Sequence, residues 1–184
     1  MLTRQEALQL VDRYISSVDK RKHVVAVSAI MKSIAKSIGA NEDEWELVGL
    51  LHDLDYDLIK GDMHRHGLVA AEMLKRKLRE SCLHAIRAHD YRSGVKPKSA
   101  VDNALIATDC VWFLVVRATL ATPQKKTREL NLGTLKKAFE SESLPAYLRN
   151  GILMCKDVGL TLDQFLRLVL TAIPDDVVTS SDDL

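Results

Sequence analysis

Residues 50–66 read LLHDLDYDLIKGDMHRH. The residues leading into them, Trp45, Val48 and Leu51, recur at helical spacing, so an apolar helix face stops at His52. Asp53, Asp55 and Asp57 then alternate with Leu and Tyr, and His64 and His66 follow. An apolar helix that runs straight into so many metal-capable side chains points to an α-helical frame built around a polar centre. A calcium loop is the first reading to test. The three aspartates fit positions one, three and five of an EF-hand, but Leu58 stands where glycine is needed and His64 where a bidentate glutamate is needed. Histidine beside carboxylate suits a transition metal instead.

Working outward, the pattern stays helical. Thr3 with Glu6 forms a capping box before the stripe Leu8, Val11 and Ile15. A second helix is predicted from about Lys20 to Ile38, stopped by Gly39, and a third after Asn41. A fourth is predicted to begin near Met63, and a fifth to span about Ser81 to His89. After the loop RSGVKPKS, a long apolar helix from about Ser99 to Ala121 is expected, ending at Thr122 and Pro123. LGTLKKAFES, SLPAYLRNGILMCKDVG and TLDQFLRLVLTAI each fit a further helix. No strand alternation, repeat or linker interrupts the series. The expectation is one all-α domain over residues 1–175, a helical bundle whose core carries the site between about 20 and 121. Residues 176–184 are expected to form an acidic, disordered tail.

Composition narrows the function classes. The chain has 184 residues, 47% apolar and 28% charged, with net charge +1. That balance disfavours a protein held to nucleic acid by phosphate contacts. Cys82, Cys110 and Cys155 are far apart, without metal or redox spacing, and read as reduced thiols of a cytoplasmic protein. The amphipathic start MLTRQEALQL lacks an apolar signal core. ALIATDCVWFLVVRATLA, residues 104–121, is long enough to cross a bilayer, but Asp109 and Arg117 interrupt it, so it reads as a core helix and not a membrane span. A monomer-competent fold is expected, with the oligomeric state left open.

All six histidines lie in the first half of the chain. His23 heads the stripe Val27, Ile30, Ile34 and Ile38, and so points inward. His52 continues the face of Trp45 and Val48, with Asp53 at the fraying last turn. His66 shares a face with Val69, Ala70 and Met73, whereas His64 points the opposite way. His89 lies with Cys82, Ala85 and Ile86, while His84 falls with Glu80 and Arg87 and looks exposed. Asp109 sits among Leu105, Ile106, Trp112 and Phe113, where a carboxylate costs several kcal/mol unless paired or metal-bound. Arg117, two turns on, is the available ion-pair partner. Turn chemistry reads Asp55 and Asp57 as solvated, self-capping residues.

The order His23, then His52-Asp53 ending an apolar helix, then Asp109 in a later helix, resembles the HD superfamily of metal-dependent phosphohydrolases. His66 in HGLVAAEML and His89 in AIRAHD resemble its six-ligand, two-metal version. The similarity runs over about residues 20–175 and is nearest to small stand-alone HD proteins. The resemblance implies an all-α bundle and hydrolysis of a phosphorylated small molecule or nucleotide. It implies that His23, His52, Asp53 and Asp109 hold one metal, and that His66 and His89 complete a second, with Asp53 bridging and catalytic. Imidazole with carboxylate favours iron or manganese, with zinc, magnesium or nickel as alternatives, one or two per chain. Asp55 or His64 could move protons, and Arg65, Arg92, Lys96 and Arg117 could meet phosphate at the mouth. Two other classes remain: a di-iron oxygenase of the HD type, and a metal-stabilised module that binds or senses. The chain has no GxSxG elbow and no glycine-rich phosphate loop.

Overall fold

The computed structural model describes residues 2–174. The expected tail 176–184 lies outside the described residues. Nine α-helices and no strand occur among the described residues: α1 (Arg4–Tyr14), α2 (Val18–Ile38), α3 (Glu42–Leu51), α4 (Leu68–Leu74), α5 (Glu80–Ala88), α6 (Ala100–Leu120), α7 (Leu132–Glu140), α8 (Ala146–Leu153) and α9 (Leu162–Ala172).

Local chemistry sets most of the ends. Thr3 and Glu6 close the expected capping box on α1, and Thr161 with Gln164 repeats it on α9. Gly39 ends α2 in the left-handed conformation, φ 70°. Two segments depart from the periodic reading. Near Met63 only a 3-10 turn forms, Met63–Arg65, and Gly67 at φ 73° separates it from α4. The region expected as one helix from Ser143 to Gly159 breaks at Leu153 into a 3-10 turn, Met154–Val158, which Gly159 ends at φ 86°. Apolar spacing is nearly the same for the two helix types over one turn, so periodicity alone does not separate them.

α6 is the axis of the bundle. α2, α5, α7 and α8 pack around it, and Val111, Leu114, Val115 and Val116 are wholly buried. It is long and apolar enough to cross a membrane, but most of its apolar stretch is buried within this fold. α2 lies along α3 at very short range. A Cβ built at Gly49 of α3 would stand 2.7 Å from the Ser28 Cα of α2. Only glycine permits this approach, and it carries His23 of α2 and His52 beyond α3 to the same end of the bundle.

Candidate metal centre

His23, His52, Asp53, His66 and His89 are all buried, and the Asp109 side chain is 24% exposed where it faces the cleft. All six meet at one place. His23 Nε2 lies 3.2 Å from His52 Nε2, and His66 Nε2 lies 3.1 Å from His89 Nε2. Asp53 stands between these imidazoles with its two oxygens divided. Oδ1 is 3.4, 3.0 and 3.6 Å from the Nε2 atoms of His52, His66 and His89. Oδ2 is 3.3 Å from His23 Nε2 and 3.0 Å from Lys20 Nζ. Asp109 Oδ1 is 3.2 Å from His23 Nε2 and 3.7 Å from His52 Nε2.

The backbone turns these rings inward. His52 and His89 each end a helix, and each donates its Nδ1–H to the carbonyl three residues back, Gly49 and Ile86, at 2.7 Å. That fixes the tautomer and leaves both Nε2 lone pairs facing the centre. Each lone pair then meets another imidazole nitrogen, an arrangement that suits a shared cation. His23, His52 and Asp109 form one group able to hold a metal ion, and His52, Asp53 and His89 form another. Four imidazoles and two carboxylates without thiolate match the donor preferences of a divalent transition metal.

Charge is strongly perturbed here. Burial alone would push the Asp53 carboxyl up, but His52, Lys20, His23 and His66 hold it well below the usual carboxylate range. Asp109 is likewise held far down against burial by His23 and His52. His66 works the other way. Burial opposes its charge, yet its place between Asp53 and Asp55 raises it to about 10. Burial lowers His52.

Several residues sit differently from their sequence reading. Asp55, expected in a solvated turn, is wholly buried. Its Oδ1 is 2.9 Å from His66 Nδ1, and its Oδ2 accepts the Ala70 N–H at 2.9 Å. It therefore holds the ring of His66 and the first turn of α4 together. Asp57 accepts the Ser16 N–H at 2.7 Å and ties the end of α1 to this turn. His84, expected at the surface, is mostly buried with Nδ1 2.9 Å from Asp102 Oδ2. His64, by contrast, sits as its helical face predicts: it is exposed and lies against the Arg92 carbonyl, apart from the cluster. Arg117 does not pair with Asp109; its guanidinium donates to the carbonyl and hydroxyl of Ser143.

His23, Asp53, His66, His89 and Asp109 form the floor of a cleft of about 360 Å³, with His52 buried behind them. Of the basic residues expected at its mouth, Arg92 lines it, while Arg65, Lys96 and Arg117 do not. The sequence reading missed Lys20, whose ammonium reaches the floor. Its signal was the three-residue spacing from His23, which puts both on one helix face. The chain has only three Phe, two Trp and four Tyr, yet Tyr56, Tyr91, Trp112, Phe113 and Tyr147 all line this cleft.

The family model of the HD domain matches residues 21–129, well over half the chain and every residue of the cluster. The chain belongs to the HD-domain family. Comparison with curated proteins and with solved structures finds no match. The HD domain is typical of metal-dependent hydrolases, and the His/Asp cluster of this HD domain is compatible with a bound metal.

Proposed function

We propose that this HD protein is a metal-dependent phosphohydrolase acting on a phosphorylated small molecule or nucleotide. The convergence of four imidazole Nε2 atoms and two carboxylates, all but His52 lining one open cleft, carries the reading. His23, His52, Asp53 and Asp109 would hold one metal, iron or manganese by donor type, and His66 and His89 would serve a second. A divalent metal at such a site makes a water nucleophilic at neutral pH and draws charge from phosphoryl oxygens. The chain's own part is positioning. Asp53, with one oxygen toward His23 and the other toward His52, His66 and His89, has the placement of a bridge. The carbonyls of Gly49 and Ile86 and the carboxylate of Asp55 hold three of the rings in register. The aromatic walls offer flat surfaces to a ring-bearing substrate such as a nucleotide.

The test is hydrolysis. Protein loaded with ferrous iron or manganese is assayed against phosphomonoesters, phosphodiesters and nucleotides, with and without chelator. Chelator-sensitive hydrolysis is expected, read as phosphate from a monoester or as alcohol and monoester from a diester, and abolished in Asp53→Ala. A fully metallated protein that cleaves none of them refutes the reading. Oxygen consumption by the ferrous form without hydrolysis would put oxygenase chemistry in its place.

A further inference from the structure

We propose that Lys20 forms an anion subsite at the cleft floor that takes a phosphoryl oxygen of the substrate. The proposal rests on the phosphohydrolase reading for its turnover assay, but not for its binding test. Lys20 lies in the first turn of α2, three residues before His23, so both side chains leave the same face. Its stem is largely buried, with 23% of the side chain exposed. Its ammonium donates to Asp53 Oδ2 at 3.0 Å and sits 4.2 Å from the centroid of the Tyr56 ring.

Two observations distinguish this lysine from a simple ion-pair partner. Asp53 is already surrounded by imidazoles, since His23, His52 and His66 all lie within 3.4 Å of its oxygens. The carboxylate thus has three imidazole partners besides Lys20. The ammonium carries three donors, and one is directed at Asp53. Tyr56 supplies a π face, which holds a cation without using up a carboxylate. The other basic side chain of the cleft lining, Arg92, is engaged differently. Its Nε lies 2.9 and 3.0 Å from the two oxygens of Asp90, and its Nη2 donates to Oδ2 as well. Arg92 is therefore matched to a carboxylate at the rim, while Lys20 presents positive charge beside the candidate ligands. A phosphoryl group brought to that cleft meets the Lys20 ammonium beside Asp53. A charged hydrogen bond there binds the anion and orients it toward Asp53.

The probe is inorganic phosphate, titrated calorimetrically into wild type, Lys20→Met, Lys20→Gln and Lys20→Arg, all loaded with manganese. Metal content and circular dichroism are measured on each. The expected result is unchanged metal content and helicity, with phosphate affinity down at least about tenfold in both neutral variants and largely kept in Lys20→Arg. Turnover of the best phosphoester should show the same order, with KM rising and the arginine variant rescuing. Phosphate affinity within about twofold of wild type in a folded neutral variant overturns the assignment. So does loss of metal together with phosphate, because Lys20 would then only support Asp53. Phosphate binding that depends on Lys20 without any phosphoester turnover supports the subsite and refutes the hydrolase reading alone.

Discussion

Gly49→Ala adds one methyl group and is expected to disturb both the fold and the metal centre. The new Cβ would stand 2.7 Å from Ser28 Cα, 2.9 Å from Ser28 N and 3.0 Å from the Val27 carbonyl carbon. Carbon atoms rest comfortably at about 3.5 Å, so α2 and α3 must part by roughly 0.8 Å. All three obstructing atoms are backbone, and no rotamer change relieves them. Two effects compete. Alanine in a helix interior gains about 1 kcal/mol over glycine. Overpacking costs typically 1–3 kcal/mol, and a gap of this size forfeits a quarter to a half of each dispersion contact along the seam. Val24, Val27, Met31, Leu47 and Val48, all buried, belong to the core that the seam helps close. The steric effect wins, with a net loss of about 2 kcal/mol, or roughly 4–8 °C in Tm for a domain of this size. The same movement separates His23 Nε2 from His52 Nε2, now 3.2 Å apart, and shifts the Gly49 carbonyl that orients His52. Metal affinity should fall alongside stability. Urea unfolding of metal-free protein isolates the packing cost, and metal content reports the site. A Gly49→Ala protein as stable as wild type, with full metal content, would refute the claim that backbone contact sets the α2–α3 distance.

Four further outcomes are expected. His66→Ala should lower metal content, whereas His64→Ala should not, since His64 is exposed and bonded to the Arg92 carbonyl; equal losses would show that the wrong histidine faces the cluster. Asp55→Ala should weaken metal binding about 10–100-fold by releasing the His66 ring, and should also lower stability by stranding the Ala70 N–H; metal titration and melting read the two effects separately. Chelator should lower the wild-type Tm by roughly 5 °C or more, because ligand binding stabilises only the folded state. Asp109→Ala should erase most of that difference, and a melting point indifferent to chelator would argue that the cluster is only a polar core. Burial pushes the Cys155 thiol up to about 11 and raises Cys82 as well. Their contribution to stability is full below the unfolded thiol pKa of about 8.5 and is lost as pH climbs toward 11. Urea midpoints in Cys82→Ala/Cys155→Ala should therefore fall less between pH 8 and 10.5 than in wild type.

Helical periodicity acts within a few residues, and whatever depends on it was legible in the chain. The all-α class, the ends at Thr3, Gly39 and Thr161, and the buried course of α6 all follow from spacing and capping chemistry. So do the faces of His23, His52, His66 and His89, because a side chain's direction on a helix is set by its register. Their arrival in one cluster, with His23 and His52, and His66 and His89, paired through Nε2 atoms 3.1–3.2 Å apart, is a different matter. It depends on how closely helices approach, and a glycine at 49 in the sequence does not announce that Ser28 lies against it. The misjudged residues share this origin. Asp55 was read from turn chemistry, yet its partners are His66 and the Ala70 backbone, placed there by the chain's return into α4. His84 looked exposed beside Glu80 and Arg87, until the start of α6 brought Asp102 to it. Arg117 lies on the helix that carries Asp109, but two turns of rise aim it at Ser143 instead. Lys20 shares a helix face with His23, but that spacing does not say where its long side chain ends. Only the tertiary structure decides that its ammonium ends over Tyr56 and beside Asp53, because a long flexible side chain takes its direction from the cavity it finds rather than from the helix that bears it.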